Sequence, residues 1–493
     1  MKPFGITTAI LSVLALAQLS FAQDGSPSIP ASTGGSSYSC DPNTCKLPQC
    51  QCASTSPPGG LSPKDVPQFV TITFDDSIQA KLLATANELL NVKNPNGCPA
   101  KGSWYVSMEY TDFSLVQQWY ANGNEVADHT FSHVGKEIAA ARAMLHEYAG
   151  VPLGKLKGFR APFLNYTADT LNEISKQGFV YDSSSTGVTD DCYWPYTLDN
   201  GMANDCWTGI CDPGKVKLPG VWEIPMYAVV DNANTPQLMD VYLAGSVSDV
   251  MQWTKTNFDR HYNGNRQPFG IYTHPTHLTT YPGLPDPSAM KKGVIDFIQS
   301  VAGKPDVWFV SNEQLLEWMK NPVPASKLAE QPYMKCELPN TGKEICNGLE
   351  KIDISDAGVA SSSLLSSCNF NTTNWHTCYN CPSAAPTLQT PTPGSAVQPN
   401  DPKYRHPVAD NCNSIWWDPV AGQCLCTTSS CAYKDVAVPV DSQNNSTTNN
   451  GGANSGSSGK QSGAKNQNSG SVSAPLMSLV LGAAISAALS TLA

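Results

Sequence analysis

Charge is scarce in this chain, and none of it is gathered into a basic stripe. Of 493 residues, 14% are charged, with 30 Lys and Arg against 41 Asp and Glu for a formal net charge of −11. A row of phosphates would find nothing to neutralise it, so nucleic acid is not an expected partner. No internal repeat is visible. The apolar C-terminal stretch has no Lys or Arg flank, the anchor expected beside a membrane helix that ends in the cytoplasm.

Cysteine, by contrast, is plentiful. The 17 cysteines would be unusual in a reducing cytosol and point to an oxidising secretory route, the odd number leaving at least one thiol unpaired or paired between chains. Residues 1–22 combine Lys2, an apolar run at 10–17 and Ser20-Phe21-Ala22. That is the layout of a secretory signal, with a mature chain expected to begin near Gln23. Residues 474–493 follow a Ser/Asn/Gly-rich stretch, 441–473, which is too polar to fold and is expected to be a stalk. The tail reads as a GPI-attachment signal removed on maturation. A spanning helix is the alternative, since about 18 residues at about 1.5 Å each reach roughly 27 Å. A secreted protein on the outer face of the membrane or in the cell wall, held by a lipid anchor, is expected. Sequons at Asn165, Asn371, Asn444 and Asn445 are candidate glycan acceptors. No protein partner is evident.

Between these ends three regions are expected: a Cys-rich lead-in and linker at 23–60, a main domain at 61–325 and a Cys-rich extension at 326–440. Within the main domain, strand-like runs fall at 69–74, 103–107, 125–127, 156–160, 179–181, 221–225, 269–273 and 307–310. They alternate with helix-like segments at 78–90, 113–121, 136–148, 168–176, 247–262, 288–301 and 313–320. Such alternation implies an α/β fold with a mostly parallel sheet, and this many strands allow closure into a barrel. In the extension, Trp416-Trp417 is either an aromatic platform for sugars or the core of a small disulfide-rich module.

A parallel barrel gathers the loops at the carboxyl ends of its strands on one face, where chemistry normally sits. Asp75 and Asp76 end the first strand, His129 and His133 follow the third, Arg160 ends the fourth, and His274 follows the strand at 269–273. A carboxylate and two imidazoles can hold a divalent ion while leaving positions open for water, and a second carboxylate beside them can take the proton of that water. The pattern points to metal-assisted hydrolysis. Each motif alone has an ordinary explanation: a polar turn for Asp75-Asp76, a surface ion pair for Arg160, an exposed histidine for His274.

Taken in order and spacing, Thr73-Phe-Asp-Asp76, His129-Thr-Phe-Ser-His133, Arg160-Ala-Pro-Phe163 and Ile271-Tyr-Thr-His274 resemble the successive motifs of the polysaccharide deacetylases, the NodB-homology or carbohydrate esterase family 4 enzymes. The resemblance covers roughly 65–324 and is nearest to the chitin deacetylases; with the GPI-like tail it suggests a fungal wall protein. It implies a distorted (β/α)7-8 barrel with disulfide-rich extensions at both ends. It also implies Asp76, His129 and His133 as ligands of one divalent ion, Zn2+ foremost and Co2+ next, with Asp75 as general base and Arg160 orienting it. The Phe163 backbone N–H would help bind the oxyanion, and His274 would be the acid, with His277 a rival. Many relatives carry tyrosine where Phe163 stands. The family's fourth motif, an acid behind the catalytic histidine and an aromatic wall, is poorly matched. Glu223 and Trp222 are assigned to it, Asp182 being the alternative acid and barrel core the alternative for Trp222. The implied reaction releases acetate from the N-acetyl groups of chitin or its oligomers. A catalytically silent chitin-binding wall protein and an esterase of O-acetylated xylan are the rivals.

Overall fold

The computed structural model of the protein describes residues 38–133, 137–337 and parts of 354–425. The first strand, β1 (Gln68–Asp75), is buried along its whole length. Its Val, Ile, Thr and Phe side chains suit a pleated surface, and burial on both faces is the mark of a parallel strand inside an α/β protein. Seven further parallel strands follow: β2 (Ser103–Val106), β3 (Glu125–Asp128), β4 (Gly158–Phe159), β5 (Tyr181–Asp182), β6 (Trp222–Glu223), β7 (Phe269–Thr273) and β8 (Val307–Val310). The hydrogen-bonded order runs β7-β1-β2-β3-β4-β5-β6 and ends on a short antiparallel strand, Tyr196–Thr197, while β8 also pairs with β1.

Six helices lie between these strands, α1 (Ala80–Leu89), α2 (Phe113–Ala121), α3 (Ile138–Ala149), α4 (Ala168–Lys176), α5 (Val247–Asn263) and α6 (Ser288–Ala302), and α7 (Asn312–Lys320) follows the last of them. Their starts follow local chemistry. Asp112 caps α2, Thr167 and Thr170 form a capping box on α4, and Ser311 and Gln314 form another on α7, so backbone N–H groups left over at each first turn find acceptors. The distorted (β/α) barrel expected from the sequence is therefore what the chain forms. The sheet curls until its ends approach, the Tyr227 backbone N–H donating to the Tyr272 hydroxyl of β7 at 2.8 Å. Large aromatics fill the space between sheet and helices: Phe74, Trp104 and Trp119 meet with centroids 5.2 to 5.7 Å apart.

Disulfides staple both ends, as expected. In the lead-in, Cys40 pairs with Cys52 and Cys45 with Cys50. This segment lies along the last strand, Gln51 exchanging bonds with Thr197 and Ser54 accepting from Trp194 N. An otherwise open sheet edge is thereby covered. Cys98 joins Cys336 across a sequence separation of 238, tying the start of the barrel to the segment that follows it. In the extension, a hairpin of Ser366–Asn369 and Asn374–Thr377 places Trp375 against Phe113 and Tyr148, at 4.8 and 4.9 Å. Trp416 and Trp417 sit in a second hairpin, with their side chains outside the described residues. Cys192 is a buried free thiol. Among the described residues no helix is long and apolar enough to cross a membrane; the segments at 1–22 and 474–493 lie outside them.

Candidate active site

The carboxyl ends of the strands open into a groove of about 540 Å3 lined by Asp75, Asp76, His129, His133, Asp240 and His274, with Phe163, Leu238 and Met239 among its apolar walls. Its backbone is unusual. Asp76, Thr130, His133, Phe163, Leu164 and Asp240 all adopt positive φ, a conformation that costs non-glycine residues free energy. Strain gathered at one place, and kept there by its surroundings, is characteristic of a functional site.

Asp76 Oδ1 lies 3.2 Å from His133 Nε2 and 3.8 Å from His129 Nε2, and the two imidazole nitrogens are 3.1 Å apart. His129 Nδ1 is 2.8 Å from the Arg160 carbonyl oxygen. A carbonyl only accepts, so Nδ1 carries the proton and Nε2 turns a lone pair toward the other two ligand atoms. Burial holds the His129 pKa below its ordinary value against the pull of Asp75 and Asp76. Burial pushes the Asp76 carboxyl up, but its bond to His133 and the neighbouring imidazoles outweigh it, leaving the pKa lowered. Lone pairs converging in this way repel unless a cation lies between them. Atoms bound to zinc at about 2.0–2.2 Å in tetrahedral array stand roughly 3.3–3.6 Å apart, close to the separations seen. The donor set fits one divalent cation.

Asp75 is buried beside this cluster. Its Oδ1 accepts from Arg160 Nη1 at 2.6 Å, while Oδ2 lies 3.9 Å from His129 Nε2. Arg160 is fully buried and fully engaged. Its Nε donates to the Ser183 carbonyl, Nη1 also to Thr73, and Nη2 to Ser183 Oγ, with the guanidinium stacked 3.9 Å over the Tyr105 ring. The Arg160 guanidinium is therefore fixed on one carboxylate oxygen and leaves the other turned to the groove.

Across the groove, His274 Nδ1 meets Asp240 Oδ2 at 2.6 Å, and Asp240 Oδ1 accepts the His274 backbone N–H at 2.8 Å and the Tyr242 hydroxyl. Burial disfavours the imidazolium. The Asp240 bond and the charges of Asp75, Asp240 and Asp76 outweigh that, raising the His274 pKa to about 9. His274 Nε2 faces the cluster, 3.8 Å from Asp76 Oδ2. His277 stands further back, 3.7 Å from Asp240.

The acid behind His274 is thus Asp240, which the sequence reading missed. Glu223 and Trp222, assigned to that motif, are both buried. Trp222 packs with Tyr181, Trp194 and Trp318 in the barrel core. Glu223 accepts from Ser185 at 2.7 Å, and Asp182, the alternative acid, accepts from Ser184 at 2.8 Å. Burial raises the pKa of both carboxyls, that of Asp182 to about 6. Both carboxyls are thus buried on these serine partners, while the carboxylate bonded to His274 is that of Asp240. Asp240 comes instead from the loop before α5, where only an acid two residues ahead of Tyr242 marked it. Phe163 does sit at the groove, its ring 4.4 Å from His133 and 82% exposed. Asn165, two residues on, is exposed, as is Asn371; Asn444 and Asn445 lie outside the described residues.

No family model matches the chain. It is 35% identical over 315 residues to "Chitin deacetylase 8" of Bombyx mori, covering 59% of this chain and 81% of that protein. It is 30% identical over 384 residues to "Chitin deacetylase 1" of the same insect, covering 72% and 68%. Among solved structures, the chitin deacetylase of Colletotrichum lindemuthianum aligns with 58% of this chain and 96% of its own, at 13% identity and a TM-score of 0.29. On its similarity to the two insect proteins, the chain belongs to the chitin deacetylase family.

Proposed function

We propose that this protein removes acetyl groups from the N-acetylglucosamine units of chitin or its oligomers, giving acetate and glucosamine units. The observation that carries the reading is the placement of Asp76, His129 and His133 between a fixed carboxylate, Asp75, and a carboxylate-backed imidazole, His274. Asp76, His129 and His133 would hold one divalent ion, zinc by donor set. When bound, such an ion supplies Lewis acidity, lowering the pKa of water and polarising an acyl carbonyl.

The residues of the chain do the rest. Asp75 takes the proton of the attacking water through the oxygen that Arg160 leaves free. The Phe163 N–H, which has no partner among the described residues, donates to the carbonyl oxygen as charge builds there, where a preorganised donor is most effective. His274, protonated through its contact with Asp240, gives its Nε2 proton to the departing sugar amine. A silent binding protein would need neither the base nor the acid.

The same reading extends to setting. A secretory signal at 1–22, a Cys-rich lead-in, the catalytic barrel at 61–325, a Cys-rich extension, a stalk and a C-terminal GPI signal would place the barrel at the outer surface of a cell that builds chitin. The lipid anchor is what favours a fungal wall. Acetate release from chitin oligomers tests the activity: loss on chelation, recovery with zinc, and loss in Asp75→Asn with metal content unchanged are expected. Oligomer binding with no acetate released would overturn it.

A further inference from the structure

Three aromatic rings stand out in solvent among the described residues: Tyr110, Phe163 and Trp207, at 73%, 82% and 88% exposed. Tyr110 and Phe163 belong to segments that leave the carboxyl ends of β2 and β4, and Trp207 lies in the long β5–β6 connection after the antiparallel strand Tyr196–Thr197, where its neighbour Asp205 accepts from Thr186 N, four residues beyond β5. Since β2, β3, β4 and β5 are consecutive in the sheet, the three strands follow one another around the mouth. His129 and His133, from the end of β3, come between the first two. A singly exposed aromatic is ordinary on a protein surface, and a further observation is needed before it marks a contact.

Trp207 is exposed without being loose. Cys206 and Cys211, on either side of it, are joined by a disulfide, and Ile210 beneath is buried. Asp205, next to it in a left-handed conformation at φ 56, accepts the Tyr166 hydroxyl at 2.8 Å and the Thr186 backbone N–H at 3.1 Å. The Trp207 side chain adds a further hydrogen-bonding interaction with the same carboxylate. Tyr166 is three residues beyond Phe163, so chain reach through the Tyr166–Asp205 bond bounds Trp207 to within about 30 Å of the groove wall. A rigid, solvent-facing indole costs little conformational entropy on binding and offers a flat apolar face to the C–H side of a sugar ring. Asp205 and Asp212 flank the loop, and Cys206 to Cys211 contains no cation. An anionic polymer is therefore disfavoured and a neutral one accommodated.

We propose that Trp207 is a stacking platform for a sugar ring of the bound polysaccharide, several units from the one that reacts. The platform rests on the deacetylase reading for the identity of its polymer. Calorimetric titration of the zinc-loaded full chain with the dimer and pentamer of N-acetylglucosamine tests it. In Trp207→Ala, pentamer affinity and kcat/KM should fall roughly five- to tenfold, with dimer values and kcat unchanged. Trp207→Phe, which keeps a ring, should retain most of the affinity, separating lost stacking from a disturbed loop. Equal pentamer affinity in wild type and Trp207→Ala, or an equal loss for the dimer, would overturn the platform. Acetate release reports separately: binding of pentamer without acetate defeats the deacetylase reading, while the affinity difference still decides the role of Trp207.

Discussion

Asp240→Asn tests the acid half of the site. The substitution keeps size and leaves an oxygen to accept the His274 Nδ1–H, but it removes the negative charge. His274 is raised from its ordinary 6.5 to about 9. At about 1.36 kcal/mol per pH unit, that is on the order of 3 kcal/mol in favour of the imidazolium. Burial opposes this value, and the Asp240 contact leads the effects that produce it, ahead of the charges of Asp75 and Asp76. A cation held by Asp76, His129 and His133 would offset those two charges and leave the Asp240 contact intact. The sign follows from a raised folded-state pKa. The protonated form is complete below about 6.5 and is lost as pH rises toward about 9. Asp240→Asn should therefore move the alkaline limb of the kcat/KM profile down by at least about one unit, slowing the enzyme roughly tenfold at pH values above both limbs. Acetate release measured from pH 5 to 10 supplies the profile. An alkaline limb that stays in place would refute the assignment of His274 as the acid tuned by Asp240.

Arg160→Gln should leave the buried Asp75 carboxylate without its counter-charge, lowering stability by about 3–5 kcal/mol in denaturant titration and abolishing turnover; unchanged stability would show the ion pair to be dispensable. Replacing Cys98 and Cys336 together by alanine opens a loop with a sequence separation of 238, for which chain entropy gives about 5 kcal/mol. A thermal midpoint that does not fall would refute that account. The Asp112 bond raises the His376 pKa against the effect of burial, so this contact of the extension is complete at pH 6 and weakens as pH rises through the folded-state value. Limited proteolysis near 366–377 should be faster at pH 9 than at pH 6, and Asp112→Asn, which preserves an oxygen for the cap of α2, should remove the difference.

The barrel was legible because its strands carry their reactive residues at their ends. In β1, apolar and β-branched residues stop at Asp75 and Asp76, β3 stops at Asp128 just before His129, and Arg160 directly follows β4, so one reading showed both order and mouth. Asp240 was hidden for the opposite reason. It lies on a loop after a two-stranded hairpin, in a left-handed conformation, and no period of strand or helix points to it. Trp222 and Glu223 misled because β6 has only two residues, too few for alternation to show which side faces the groove. The rim role argued for Trp207 was equally out of sight, since a tryptophan inside a short Cys-x-x-x-x-Cys loop reads as core until its exposure is known.

Arg160 serves both halves of the hydrolytic apparatus through different atoms. Its side chain grips the base at 2.6 Å, and its main-chain oxygen, 2.8 Å from His129, sets the tautomer of a ligand. Drift of this one residue would detune proton abstraction and ion affinity at the same moment. Selection acting here cannot trade one property against the other; refinements of either have to come from elsewhere along the rim.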